Sequence, residues 1–516
     1  MAPASSPESS TAAALPSLLL LPSPPRPASR AALRAAYHLP LSTVLTRLSD
    51  EHKLACSSAA SAASPPPSAP VLAVAVASPV LAGPASAPKR RSVRWSPSQT
   101  LLARLYTLVA SICAEHGIAT DLAGDDPGTV DARILLVDHE RGRKPSWYLE
   151  QAQMQGRDRR YSPTCTTVLD LATFAATTGP WKTVFHPSGE PGYELLAAYL
   201  DLATGCGRTL LQKQIVAVKG GLSFCVPARA ADGTDAGEGQ SKHQTESRIR
   251  DGVSATTAGT VPATVTGGSP DAVEGYRSIC IGGTFDHLHP GHKLLLHAAA
   301  LLLRVPMMED DRDASPCIFI VGVSGDELLK RKKYAQELQS WEVRSRSTLD
   351  FLATILGEPS TATLHITDTG ESAAAAAAAT GRTGATEDAP TPRELQGSFR
   401  NGAILVRCVD LRDPFGPPIW EEGVDAIVVS AETRGGATAI NDRRAQRQWH
   451  PLDAYEIDVL GERDDDDDGE GGDSEGEGEG GADKKAATEA ARIAAKISST
   501  EIRRQKAEAR ARRGHL

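Results

Sequence analysis

The stretch SICIGGTFDHLHPGHKLLLHAAALLL, residues 278–303, passes from a strand through a glycine turn into a helix. Ile279, Cys280 and Ile281 form an apolar run of strand character, and Gly282 and Gly283 suit a tight turn whose backbone can approach a phosphate. The Leu- and Ala-rich segment after Pro290 is a strong helix former. Pro290 is tolerated because a first helical turn does not need its missing N–H. Unpaired N–H groups and the helix dipole both favour an anion at such an end. His289 and His292, three residues apart, share a face there. That geometry suits a triphosphate.

A lone His-x-x-His is more often a surface or packing feature than a site, but here strand, glycines and histidines fall in one frame. His289-Pro290-Gly291-His292 resembles the HxGH signature of the nucleotidyltransferase superfamily. The longer GGTFDHLHPGHKLLL is similar to the eukaryotic type of phosphopantetheine adenylyltransferase, here a monofunctional, fungal-like member with an N-terminal extension. The resemblance implies a Rossmann-like parallel sheet in the C-terminal half and transfer of AMP from ATP to 4′-phosphopantetheine, giving dephospho-CoA and pyrophosphate in coenzyme A synthesis. The alternatives are a cytidylyltransferase or nicotinamide mononucleotide adenylyltransferase of the same fold, or an inactive scaffold.

Outward from this stretch, the order of elements is that of an α/β protein. Residues 317–324 (CIFIVGVS) read as a second buried strand, followed by Lys330, Arg331, Lys332 and Lys333. Strand, helix and strand make a βαβ unit, which puts both strand C-termini, and the basic cluster, at one sheet edge. Residues 341–356 have helical spacing through Val343, Leu349, Leu352 and Ile355, and 363–367 read as a third strand. Residues 404–409 resume the sheet, ahead of a rigid loop with Asp410, Asp413, Pro414, Gly416 and Pro417 that resembles the family's Asp-Pro-x-Gly-Pro segment. Residues 426–430 form another strand; the following Glu432, Thr433, Arg434, Gly435, Gly436 and Asn441 resemble the family's Ser-Glu-Glu-Thr-x-x-Gly-Gly segment. Ala431 replaces the first Glu, and one residue separates Thr433 from the glycines. A strand ending there offers backbone donors and a guanidinium at the same edge, with Arg443 and Arg444 extending the positive field. After a last strand at 455–460, KISSTEIRR (496–504) supplies Ser498, Ser499 and Thr500 as cap and first-turn residues. It resembles the superfamily's ISSTxxR signature.

The resemblance implies the site. His289, His292 and Lys330 are the candidate catalytic residues, with Lys330 or Lys332 meeting phosphate. Gly282, Gly283, Thr284, Phe285 and Gly291 line the nucleotide phosphates with Glu432, Arg434 and Gly435, while Ser498, Ser499, Thr500 and Arg503 hold the leaving pyrophosphate. Mg²⁺ enters with ATP, with no protein metal site expected. Partners are ATP and 4′-phosphopantetheine, together with other coenzyme A enzymes. No GxxxxGK[ST] loop accompanies these motifs, so the next phosphorylation lies elsewhere.

The remaining residues set bounds. The expected division is a disordered N-terminus (1–30), an N-terminal α/β region (31–226, low-complexity over 57–88), a flexible linker (227–275) and the nucleotidyltransferase domain (276–510), with disordered inserts at 372–392 and 461–486. In the N-terminal region, 31–54 is helical with a break at Pro40, 97–116 is a helix, and 71–83 and 133–138 are strands. Residues 166–174 are ambiguous, 193–203 is a short helix and 210–218 another strand; His186, Ser188 and Glu190 before Pro191-Gly192 read as turn polarity. The net charge of −9 misleads, because 464–483 alone holds eleven acidic side chains and the rest is near neutral. Eight scattered cysteines without a CxxC pair fit reduced thiols in a cytosolic protein, ahead of the nucleus or mitochondrion. No run reaches the roughly 18 apolar residues of a membrane span. The basic tail from Arg503 to Arg513 lacks stacking aromatics, which argues against nucleic acid.

Overall fold

The chain, seen in a computed structural model, is described over residues 15–62, 64–84, 87, 91–119, 126–141, 164–221, 272–306, 315–358, 366–368, 393–460 and 498–513. Its first run of elements is β1 (Ser17–Leu21), α1 (Arg30–Ser61), β2 (Val71–Ser78), β3 (Leu81–Ala82), β4 (Ser92–Arg94), α2 (Trp95–Glu115), β5 (Asp131–Asp138), β6 (Leu169–Asp170), α3 (Leu171–Thr177), β7 (Val184–Pro187), α4 (Glu190–Gly205) and β8 (Ile215–Val218). The second is β9 (Ala272–Val273), β10 (Ser278–Gly283), α5 (Pro290–Ala300), β11 (Cys317–Ser324), α6 (Asp326–Leu329), α7 (Trp341–Ile355), β12 (Ile366–Asp368), β13 (Glu394–Phe399), β14 (Ile404–Leu411), β15 (Ala426–Val429), α8 (Arg434–Gln446), β16 (Asp453–Glu456) and α9 (Ser499–Arg513).

The first run makes a six-stranded, all-parallel sheet in the order β6-β5-β2-β1-β7-β8. Its strands are covered on both faces, so they are apolar along their length rather than alternating. One expectation is corrected here. Ser17–Leu21, assigned by composition to a disordered N-terminus, is an interior strand whose five residues are all buried. The prolines around it end the strand without preventing it. Within the low-complexity stretch 57–88, the strand expected at 71–83 is present as β2 and β3, and the last turn of α1 extends into its start.

Helix α1 also runs on through Pro40 rather than breaking there. An interior proline costs a helix about 3 kcal/mol. Against this, α1 buries Leu33, Tyr37, Leu41, Val44, Leu45 and Leu48, at roughly 1.5–3 kcal/mol for each large apolar side chain. Packing outweighs the break.

The second run makes a seven-stranded sheet, β12-β13-β14-β11-β10-β15-β16. β14, β11, β10, β15 and β16 are parallel, and β12–β13–β14 closes one side as an antiparallel ribbon. β13 is an added strand that the sequence reading did not assign. From the centrally placed β10 the chain winds to β11 and β14 on one side, then crosses to β15 and β16 on the other. Ligands of such sheets bind beyond the strand C-termini at this reversal, here between β10 and β15.

The two sheets are not separate bodies on a linker, as the composition implies. One buried apolar cluster extends from Leu18 to Ile457, and a small antiparallel sheet, β3-β4-β9, joins both runs. Gln99 exchanges two hydrogen bonds with Asp458, and Arg400 donates to the Thr166 and Thr167 carbonyls at 2.9 and 2.6 Å. Apart from 272–275, the expected linker lies outside the described residues, as do both expected inserts. All cysteines among the described residues are free, with Cys280, Cys317 and Cys408 buried in the second sheet. Among the described residues, no helix is long and apolar enough to cross a membrane.

Candidate functional site

β10 ends in Gly282 and Gly283, and the chain then turns through Phe285 and His287, both with positive φ, before entering α5. His289 is the residue before the first helical turn, and its carbonyl accepts the Lys293 N–H at 3.1 Å. The His289 and His292 rings stack with centroids 3.9 Å apart, and Phe285 packs against His292 at 5.3 Å. Gly291 packs close beside the stack: a Cβ there would lie 3.2 Å from His289 Cε1, tight enough to push the ring by a few tenths of an ångström.

His292 is half-buried, and its Nδ1 has no hydrogen-bond partner. Burial, with His287 nearby, holds its pKa down at about 3, so the ring is neutral. An anion docked on it would raise that value by favouring the charged form. A neutral imidazole at a helix N-terminus, with an unused ring nitrogen, is poised to meet one.

Asp286, inside the same loop, was assigned no role by the sequence, yet it organises the edge. It is fully buried, accepts from the Gln339 N–H at 3.0 Å and from Arg503 Nη1 at 2.6 Å, and its carbonyl accepts from Ser499 Oγ at 3.1 Å. Arg344 is the second residue the sequence reading missed. It donates to the carbonyls of Gln339, Thr284 and Ser324 at 3.0, 2.8 and 2.8 Å and to Asp326 Oδ1 at 2.6 Å. The ends of β10 and β11 are thereby pinned together. A signal for it existed: Trp341, Arg344, Ser345 and Thr348 form the buried stripe of α7, polar residues at core spacing. Val343, counted as apolar periodicity, points outward instead.

The other candidates fall into two groups. Gly282, Gly283, Thr284, Phe285, Gly291, His289, His292, Ser499 and Arg503 are brought together around the β10–α5 loop. Ser498 caps α9, its Oγ accepting the Glu501 N–H at 3.3 Å, and Thr500 is exposed in the first turn. Lys330 and Lys332 are exposed after β11, with Lys330 paired to Glu327 at 2.5 Å. Glu432, Arg434 and Gly435 are exposed after β15, at the start of α8, where Arg434 forms a two-pronged pair with Glu456 at 2.6 and 2.5 Å. These are at the same sheet edge.

Two arginines depart from expectation. Arg503, expected to hold pyrophosphate, is buried, and besides Asp286 it donates to the Lys333 carbonyl at 3.1 Å and Thr500 Oγ1 at 3.2 Å. It fastens α9 to the histidine loop rather than facing outward. A buried guanidinium beside a buried carboxylate is held by their mutual attraction and by the cost of separating them. Arg444, expected to extend a positive field, is buried and donates to the carbonyls of Pro418, Glu421, Glu422, Val424 and His450. Carbonyl oxygens left over at a loop consume its charge. Among the described residues, no group of three or more His, Cys, Asp or Glu side chains could hold a metal ion.

Comparison with known proteins adds the following. A family model described as a domain of unknown function (DUF8446) matches residues 1–224. An uncharacterized protein of Schizosaccharomyces pombe is 32% identical over 180 residues, covering 35% of this chain and 39% of that protein. The phosphopantetheine adenylyltransferase of Saccharomyces cerevisiae is 24% identical over 197 residues, covering 38% of this chain and 46% of its own length. The chain thus spans less than half of either yeast protein. The phosphopantetheine adenylyltransferase of Pyrococcus horikoshii is 32% identical over 185 residues, 36% of this chain and 80% of its own. With that share of a relative aligned at that identity, the chain belongs to the phosphopantetheine adenylyltransferase family.

Proposed function

We propose that the chain transfers AMP from ATP to 4′-phosphopantetheine. The observation that carries this reading is the stacked His289–His292 pair at the N-terminus of α5, at the reversal point of a parallel sheet, with the Ser498–Thr500 turn tied to the same loop. In the reaction, a phosphate oxygen of the acceptor attacks the α-phosphorus of ATP in line. The bond from that phosphorus to the α–β bridging oxygen breaks, and pyrophosphate leaves with the electron pair. The acceptor is already an anion, so the protein need supply no nucleophile.

What the residues contribute is alignment and neutralisation of charge. His292 donates a hydrogen bond to an α-phosphate oxygen and gains proton affinity as negative charge accumulates there. His289, stacked on it, meets the neighbouring phosphate. Thr284 and the Gly282–Gly283 backbone line the opposite side, while Lys330 or Lys332 orients the attacking phosphate. Ser498, Ser499 and Thr500 receive the leaving pyrophosphate at the N-terminus of α9. Arg503 takes part by holding that helix end in place. Glu432, Arg434 and Gly435 extend the same edge toward the nucleotide. Mg²⁺ entering with ATP would supply further neutralisation of the phosphate charge.

Pyrophosphate release measured with ATP and CTP, across 4′-phosphopantetheine, phosphocholine and nicotinamide mononucleotide, tests the reading. ATP with 4′-phosphopantetheine is the expected pair, and preference for another pair replaces the reading with that activity. In the His292→Ala variant, kcat should fall by about 10²-fold or more. A folded variant with undiminished release rules the mechanism out.

A further inference from the structure

The residue after His292 reaches away from the site, into the N-terminal sheet. Lys293 is 1% exposed, and its Nζ donates to Asp131 Oδ1 at 2.6 Å and to the Ala132 carbonyl at 3.1 Å, at the start of β5. The second oxygen of Asp131 accepts from Arg133 Nε at 2.7 Å. Arg133 in turn donates to the Asp350 carbonyl at 2.9 Å and to Asp350 Oδ2 and Thr354 Oγ1 at 2.5 Å each, all on α7. The start of β5 therefore grips two helices of the second run. Further along α5, Trp95 Nε1 donates to the Ala298 carbonyl and Thr167 Oγ1 to the Ala300 carbonyl, each at 2.8 Å.

These contacts fix α5 against both sliding and turning. The two later bonds reach the main chain near the C-terminal end. The Lys293 pair acts in the first turn, where the histidines are. Consecutive helical residues point about 100° apart, so a turn that withdraws Lys293 from Asp131 swings His292 by the same angle. Productive geometry tolerates only about 10–20° of such error. A buried ion pair is poor evidence of added stability, but it is well suited to specifying one arrangement over others.

We infer that the Asp131–Lys293 pair sets the rotation of the histidine-bearing helix, making Lys293 a positioning residue and the N-terminal sheet part of the site's support. This rests on the proposed reaction for its kinetic consequence, though not for its structural one.

The test uses the full chain and the variants Lys293→Met, Asp131→Asn and the double variant. Two readouts are taken: ring resonances of His289 and His292 by ¹H–¹⁵N NMR, and kcat and KM for pyrophosphate release. Each single variant should displace both histidine resonances and lower kcat by about tenfold or more, with KM for ATP changed less than about threefold. The double variant should be no worse than the worse single one, because both lose the same contact. Asp131 belongs to the other sheet, so a matching loss there separates positioning from a direct charge effect of Lys293. Unmoved histidine resonances in a folded Asp131→Asn protein overturn the inference, even if Lys293→Met fails to fold. If the wild-type chain releases no pyrophosphate, the reaction is wrong, and displaced resonances still support the positioning role.

Discussion

Arg344 shows how a single buried side chain can hold the edge of the candidate site together. Its side chain has no exposed surface, and it satisfies carbonyls from three segments at once. Removing it leaves those oxygens without partners, and each unsatisfied buried acceptor costs about 1–3 kcal/mol. Arg344→Leu should therefore lower unfolding free energy by roughly 3 kcal/mol or more in urea titrations and, under the proposed reaction, abolish most pyrophosphate release. His297 provides the pH-sensitive counterpart. It is buried on α5, its Nδ1 is unpartnered, and burial depresses its pKa from 6.5 to about 3. Between those values the unfolded ring binds a proton and the folded one does not, so stability falls as pH drops. For one such group the slope approaches about 1.4 kcal/mol per pH unit. His297→Leu should flatten the stability curve between about pH 6 and pH 4, as measured by urea midpoints across that range.

At the scale of elements, the strand-to-helix corners carry the most demanding geometry. Gly325 sits between β11 and α6, where a Cβ would lie 2.5 Å from Asp410 Oδ1 and 2.8 Å from the Leu411 carbonyl. Since neither the paired strand β14 nor its following loop can withdraw freely, Gly325→Ala should destabilise the protein by about 1–3 kcal/mol. A thermal midpoint within a degree of wild type would contradict this. The β10–α5 corner is legible in the sequence because its needs are local: glycines, a proline at the first helical turn and two histidines at helical spacing. α9 is only half legible in the same way. Its Ser-Ser-Thr cap announces a helix start, but whether Arg503 faces a ligand or Asp286 depends on which loop lies opposite, and that loop is more than 200 residues away in the chain. β1 is the converse case, since a serine and four leucines between prolines become a strand only because β2 and β7 flank them.

For the whole molecule, the decisive feature is the shared core. Helices α5 and α7 pack against the first run, Lys293 finds its hydrogen-bond partners in β5, and Arg133 is bonded to α7 as well as to Asp131 of its own strand. A fragment comprising residues 272–516 should therefore expose apolar surface, aggregate on size-exclusion chromatography and bind a hydrophobic dye, while the full chain unfolds in one transition. A monomeric, natively folded fragment would show that the two sheets stand alone. The sequence by itself determined the βαβ order, the strand and helix identities around residues 278–303, and the family to which the histidine motif belongs. These rest on periodicity, capping and short spacing, which neighbouring residues settle among themselves. Only the tertiary structure decided that β1 is interior, that Arg444 and Arg503 are consumed in buried contacts, and that Lys293 faces another sheet. Such choices depend on which distant groups must be desolvated together, and a buried charge takes whichever partner the packing brings within reach.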